Sequence, residues 1–332
     1  MRRVLRLVAI GGSVLVLLIA ASFAYFLYTP APARPALSGS IRRDSLQVGE
    51  LRRGYVFYVP ARLASHPPLL LALHGSMGNA GQMRRISAYR FEQLADEHGF
   101  ILVYPEGYEG HWNDCRRKFS SVAKRSGVDD VSFVRALVAH FRSTYGVDSA
   151  RVFAAGISNG GHLAYRLALE APDLFRAVAA VAANLPTEEN SHCTPAGGAV
   201  SVLILNGTDD PINPFEGGRV TVFGFGDRGT VRSARASAEY FARRNGSVGA
   251  PVVERVPQKG SARTTAERAH WRSTSGADVV LYTIHGGGHT LPHPRARGPR
   301  LLGRTHSALD GAEEIWRFFA RREAAGVPPE RP

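Results

Sequence analysis

Three residue types that do acyl-transfer chemistry follow one another along this chain, each directly after an apolar run. Ser158 lies in Gly156-Ile157-Ser158-Asn159-Gly160, behind Arg151-Val152-Phe153-Ala154-Ala155 and ahead of a helix-spaced segment, residues 161–169. Strand, sharp turn and helix in that order lift a serine hydroxyl above the end of a sheet, and the tight turn demands small neighbours. The pentapeptide alone is a weak signal, because 35 of the 332 residues are glycine. Two later segments give it weight. Residues 200–205 are aliphatic and end in Asn206-Gly207-Thr208-Asp209-Asp210-Pro211; residues 279–284 are similar and end in His285-Gly286-Gly287-Gly288-His289-Thr290. Ser158 then reads as the nucleophile and His289 as the base that takes its proton and returns it to the leaving group. Asp210 reads as the carboxylate that orients the imidazole.

Each assignment has a neighbour to exclude. Asp210, just before Pro211, ends its turn, which leaves Asp209 as a solvated or turn-capping residue. His289 follows three glycines that free its loop to swing toward Ser158, whereas His285 ends a strand. His293 and His306 lie in an Arg- and Pro-rich loop, and the four histidines lack the compact spacing of a metal site. The chemistry needs neither metal nor cofactor. The fourth component follows the apolar run at residues 68–73, where His74-Gly75-Ser76-Met77-Gly78 forms a turn. Backbone N–H groups of Ser76, or its neighbour Met77, and of Asn159 are the expected donors to a developing oxyanion. His74 is expected to shape that loop and carry no proton.

The elements that must hold these turns read as α/β. Two antiparallel strands, residues 46–48 and 55–59, open the domain, and short apolar strands then alternate with helical patterns, the mark of a mainly parallel twisted sheet covered by helices on both faces. One helix is expected over residues 82–98, a second over 130–145 capped by Asp129, a third over 231–244 and a last over 308–322. No inserted cap domain is apparent. Two long segments lie where substrate enters. In residues 105–128, Trp112 offers a stacking surface and Asn113 and Asp114 polar contacts, with a half-buried anchoring tryptophan as the alternative. Residues 211–229 suit a small lid or binding loop.

Composition bounds the setting. Residues 7–28 form an uncharged stretch behind Arg2, Arg3 and Arg6, long enough for a bilayer span and oriented with the N-terminus in the cytoplasm. Residues 1–28 are thus read as signal-anchor or signal peptide, 29–44 as linker, 45–325 as the catalytic domain and 326–332 as a disordered tail. The expected location is exported and extracytoplasmic, with an anchor in the inner membrane if residues 7–28 are retained. The two cysteines, Cys115 and Cys193, are candidates to pair in such a compartment. A net charge of +13 comes from scattered arginines without the aromatic interleaving of a nucleic-acid binder, so nucleic acid is not an expected partner.

With these residues in place, residues 51–320 resemble the polyhydroxybutyrate depolymerase-like esterases, a family of α/β-hydrolases that includes feruloyl and acetylxylan esterases. The resemblance is carried by Leu73-His74-Gly75, Trp112-Asn113, Val128-Asp129-Asp130-Val131-Ser132-Phe133, Gly156-Ile157-Ser158-Asn159-Gly160-Gly161, Asn206-Gly207-Thr208-Asp209-Asp210-Pro211 and Gly287-Gly288-His289-Thr290. It implies an α/β-hydrolase fold, export, and hydrolysis of a small or polymeric carboxylic ester through an acyl-enzyme carried by Ser158, Asp210 and His289. This chain departs from the family in Ser76 and Ser247, where members often carry Cys, and in Leu291-Pro292, where Trp-Pro is common. The alternatives are a serine peptidase or amidase using the same triad, and a catalytically silent, membrane-tethered binding protein.

Overall fold

Alternating strands and helices build one ten-stranded sheet in the computed structural model, which describes residues 1–257 and 263–324, the side chains of residues 2, 4–9 and 322–324 excepted. The first half runs α1 (Arg2–Phe26), β1 (Ser40–Val48), β2 (Leu51–Val59), β3 (Leu69–Leu73), α2 (Ala80–Ile86), α3 (Arg90–His98), β4 (Ile101–Pro105), α4 (Val122–Arg125), α5 (Asp130–Tyr145), β5 (Val152–Ile157) and α6 (Asn159–Glu170). The second runs β6 (Ala177–Val181), β7 (Ser201–Gly207), β8 (Gly218–Arg219), β9 (Thr230–Val231), α7 (Ala234–Arg244), β10 (Val252–Arg255), β11 (Thr265–Trp271), β12 (Val279–His285), a 3₁₀ turn (Arg300–Leu302) and α8 (Gly311–Ala324).

Strand order across the sheet is β1-β2-β4-β3-β5-β6-β7-β12-β11-β10. The six strands from β4 to β12 pair in parallel, and antiparallel strands extend both edges. Every residue of β3, β4, β5, β6 and β7 is buried, which explains why they read as continuous aliphatic runs. One face packs on α5, α6 and α7 through Phe133, Leu137, Leu163 and Phe241. The other packs on α2, α3 and α8 through Met83, Phe91, Leu94, Trp316 and Phe319. Trp316 stacks on Phe100 at 4.0 Å between ring centroids, locking the last helix onto the sheet. All loops that follow parallel strands leave from one edge, and the candidate residues sit there.

Several expectations change. The helix expected at residues 82–98 is two helices, because Ala88 and Tyr89 take φ of 48° and 60° and the Ser87 hydroxyl bonds back to the Arg84 carbonyl. The linker ends sooner than expected, since β1 already begins at Ser40. β10 and β11 add two strands where the sequence showed no period-2 signal; β10 is exposed at all four positions, valines included. Residues 105–128 contain α4, and residues 211–229 contain most of a small hairpin, β8 with β9. The tail expected at 326–332 lies outside the described residues. Residues 10–26 of α1 are exposed, and Arg300 Nη1 donates to the Tyr25 carbonyl at 2.9 Å. Among the described residues no helix is long and apolar enough to cross a membrane.

Candidate active site

Ser158 ends β5 and opens α6 in a sharp turn, with φ 56° and ψ −119°. A non-glycine residue held there stores roughly 1–3 kcal/mol of strain, which the surrounding packing must enforce. Two glycines make the turn passable: a Cβ at Gly156 would lie 2.1 Å from the Gly160 carbonyl oxygen, and one at Gly160 would lie 2.4 Å from that of Leu73. Ser158 N–H donates to Val181 O at 2.8 Å, tying the turn to the neighbouring strand. The hydroxyl has no hydrogen-bond partner among the described residues, and the residue is half-buried.

Asp210 and His289 come from the turns after β7 and β12. His289 Nδ1 lies 2.7 Å from Asp210 Oδ2, with both side chains buried. Asp210 Oδ1 accepts the N–H groups of Ile212 and Asn213, each at 2.8 Å. Asp209 faces away and is met only by the Thr208 hydroxyl, at 3.0 Å. The two turns are laced together, because Gly286 N–H donates to Thr208 Oγ1 at 2.8 Å and Asp209 N–H to the Gly287 carbonyl at 2.9 Å. The histidine loop is fixed in turn by His289 N–H to Leu302 O at 2.7 Å. β12 stands three strands from β5, about 14 Å at sheet spacing, so this loop must arch back toward Ser158. His162, one helical turn beyond Ser158, interacts electrostatically with His289, as that arch requires. The other histidines are committed elsewhere: His293 Nδ1 accepts the N–H of Ala296 at 2.8 Å, and His306 Nδ1 meets Thr264 Oγ1 at 2.8 Å.

The turn after β3 lies against the serine, since a Cβ at Gly75 would meet Ser158 Cβ at 3.4 Å. The backbone N–H groups of Ser76, Met77 and Asn159 have no acceptor among the described residues, which leaves them open to an incoming oxygen. Met77 itself is exposed. His74 is fully buried, and burial holds its imidazole down at about 4, so it is neutral in ordinary buffers. Its Nδ1 donates to Gly75 O at 2.7 Å, which leaves Nε2 to accept the Gly107 N–H at 2.9 Å. Both nitrogens are spent on backbone, so His74 braces the turn.

The chain is similar to proteins of known kind. Residues 53–217 match the family described as esterase PHB depolymerase. An esterase of Nocardia uniformis subsp. tsuyamanensis, NocK, is 32% identical over 303 residues, 88% of this chain and 86% of its own length. The chain belongs to the PHB depolymerase-like esterases. Feruloyl esterase B of Talaromyces funiculosus is 33% identical over 153 residues, covering 46% of this chain and 40% of the fungal protein. The acetyl xylan esterase structure from Aspergillus awamori superposes with a TM-score of 0.56 at 20% identity, over 77% of this chain and 96% of that one. That likeness gives the α/β-hydrolase fold. Membership in this family makes the chain a carboxylic ester hydrolase.

Of the two readings open for Trp112, a stacking surface and an anchoring tryptophan, the structure supports the anchor. Trp112 is fully buried; its Nε1 donates to the His74 carbonyl at 2.9 Å and its ring packs on His74 at 4.8 Å. It is a strut beneath the turn after β3, which sets the stacking reading aside. Asn113 is likewise an anchor: its N–H donates to Asp130 Oδ2 at 2.7 Å and its Nδ2 to Val128 O at 2.9 Å. Cys115 and Cys193 form a disulfide, with Cα atoms 5.1 Å apart.

Asp114, beside that disulfide, was expected as a polar contact to substrate, and sequence reasoning missed its buried pairing. Asp114 is fully buried, bound to Arg116 at 2.6 Å and to Asn159 Nδ2 at 2.7 Å. Asn159 also accepts Trp112 N–H through Oδ1 at 2.9 Å and donates to Trp112 O at 3.1 Å. The residue after Ser158 is therefore gripped on both ends of its amide. Burial alone would raise the Asp114 carboxyl, but the Arg116 guanidinium overrides this and holds it at about 2. Only the nearness of Asp114 and Arg116 in sequence hinted at this pair.

Proposed function

We propose that Ser158, His289 and Asp210 hydrolyse carboxylic esters through an acyl-enzyme. The observation that carries this is the 2.7 Å contact between His289 Nδ1 and Asp210 Oδ2 on the same sheet edge as the strained Ser158 turn. The Asp210 contact fixes the imidazole with its proton on Nδ1, so Nε2 is the nitrogen that accepts the Ser158 proton as Oγ attacks the ester carbonyl. The developing oxyanion is met by the N–H groups of Ser76 and Asn159. Imidazolium then protonates the departing alcohol, and water enters by the reverse of these steps. Acyl, hydroxycinnamoyl and short hydroxyalkanoate esters are the substrate classes, the second in keeping with the feruloyl esterases among the relatives.

The same reading puts residues 45–325 in the catalytic domain, extended back to Ser40, and outside the cytoplasm. Residues 7–28 serve as an export leader, and the Cys115–Cys193 disulfide suits an oxidising compartment. The test is hydrolysis of 4-nitrophenyl acetate, butyrate and octanoate by the full-length protein and by Ser158→Ala. Turnover that vanishes in the variant supports the triad. Turnover that persists in it would rule the triad out.

A further inference from the structure

The mouth of the site, between residues 106–128 and the β8–β9 hairpin, carries more positive charge than its carboxylates cancel. Asp114 is the buried acid there, and it is fully engaged. Its Oδ1 accepts Arg116 N–H at 2.8 Å and Nε–H at 3.1 Å, and its Oδ2 accepts Arg116 Nη2 at 2.6 Å and Asn159 Nδ2 at 2.7 Å. Asp227, on the hairpin, faces Lys118 at 3.7 Å. Asp114 attracts Arg228 from a distance, but neither carboxylate reaches it as an ion pair among the described residues. The Arg228 guanidinium lies 5.0 Å from the Phe119 ring centroid, and that of Arg116 lies 4.3 Å from the same ring. Phe119 is buried and Arg228 half-buried. Among the described residues the Arg228 guanidinium makes no hydrogen bond and no ion pair.

Contacts lead from this cation to the nucleophile turn: Arg228 on Phe119, Phe119 on Arg116, Arg116 on Asp114, and Asp114 on Asn159, the residue after Ser158. His162, beneath the same turn, has a buried Nδ1 without a hydrogen-bond partner and lies within electrostatic range of both Arg228 and His289. Burial, together with Arg166, Arg116 and Arg117, draws the Lys124 ammonium down to about 8, against the pull of Asp114. A guanidinium partly removed from water with no acceptor is a net destabilising feature unless a ligand supplies one. A carboxylate fits best, because it meets the fork with two parallel hydrogen bonds.

We propose that Arg228 forms an anion subsite on the approach to Ser158, and that the preferred substrates are esters bearing a free carboxylate. This rests on the ester-hydrolysis reading and names its substrate class. The subsite selects for charge, which the bare ester chemistry does not require.

Two matched pairs test it in the full-length protein: 4-nitrophenyl hexanoate against the 4-nitrophenyl hemiester of adipic acid, and methyl 4-acetoxybenzoate against 4-acetoxybenzoate. The first puts the carboxylate on the acyl side, the second on the leaving group. In one pair the anionic member should lead by about tenfold or more in kcat/KM, and added salt should shrink that lead. Arg228→Gln should lower the anionic-to-neutral ratio by about tenfold, with Arg228→Lys recovering part of it. Ratios near one in both wild-type pairs, or a ratio unchanged in Arg228→Gln, would overturn the subsite. So would equal losses on both members, which would mark Arg228 as merely structural. Neutral esters that are hydrolysed equally by Ser158→Ala would instead sink the triad. Calorimetric titration of adipate into Ser158→Ala reads the subsite without turnover: heat lost on adding Arg228→Gln supports it, and no heat at all counts against it.

Discussion

Asp210 Oδ2 sits 2.7 Å from His289 Nδ1, while Asp209, one residue earlier, points to the Thr208 hydroxyl. The two carboxylates differ in partner, and so in consequence. Asp210→Asn leaves the geometry nearly intact but favours the wrong imidazole tautomer, and kcat should fall by about 10⁴-fold. Asp209→Asn should remain within about threefold of wild type, since it touches neither the imidazole nor the nucleophile turn. Steady-state kinetics on 4-nitrophenyl butyrate decide the matter, and the reverse ranking would overturn the assignment.

Trp112 gives a second prediction because it contacts the machinery from below. Trp112→Phe removes the Nε1–H bond to the His74 carbonyl and strands that buried acceptor, a loss of about 1–3 kcal/mol in the support of the oxyanion turn. The expected signature is a lower kcat with KM little changed, because a buried strut does not meet substrate. A rise in KM with kcat preserved would return Trp112 to the substrate surface.

Residues whose local geometry is forced by their neighbours were readable in the sequence. Only small residues pass between β5, α6 and β3, so Gly156, Ser158 and Gly160 announce their turn. The Asp129 cap was readable for the same reason, its side chain accepting Ser132 N–H at 2.9 Å. What failed depended on distant partners. A tryptophan beside an asparagine looks alike whether it faces substrate or core, and the bond that decides for Trp112 reaches a residue 38 positions away. Asp114 meets Asn159 across 45 positions, and Arg228 meets Phe119 only once the hairpin has folded back. No periodicity encodes such pairings. The strands β10 and β11 were missed because β10 is exposed along its whole length, valines included, and β11 buries Ala266, Ala269 and Trp271 out of strict alternation.

The buried Asp114–Arg116 pair sets an acid limit on stability. Its carboxyl is held at about 2, below the ordinary 3.8, so it binds fewer protons in the folded chain than in the unfolded one. The stabilisation it contributes is present above the unfolded value and is lost as pH falls through the folded one. Asp114→Asn leaves Arg116 buried and unpaired, which should cost about 3–5 kcal/mol at neutral pH. The gap between wild type and variant should narrow as pH drops from about 4 through about 2, as the wild-type carboxyl becomes protonated in the folded chain. Urea unfolding across that range measures it. A gap independent of pH would mean that the hydrogen bond to Asn159, and not the ion pair, carries the effect.

The disulfide offers a test of whether the same loop is held by chain closure or by polar contacts. Cys115 and Cys193 are 78 residues apart, and closing a loop of that length stabilises the fold by about 4 kcal/mol in the chain-entropy account. Cys115→Ser/Cys193→Ser should therefore unfold at lower urea by that amount. Its effect on kcat depends on the other contacts that grip the loop. Arg117 N–H still donates to Asn190 O, His192 Nε2 to Asp114 O at 2.8 Å, and Asp114 still binds Asn159. Those bonds fix the backbone beneath Ser158 without the sulfurs, so well below the unfolding temperature kcat should stay within about threefold of wild type. A much larger loss of kcat in a still-folded variant would make the disulfide, and not the Asp114 contacts, the part that sets the oxyanion turn.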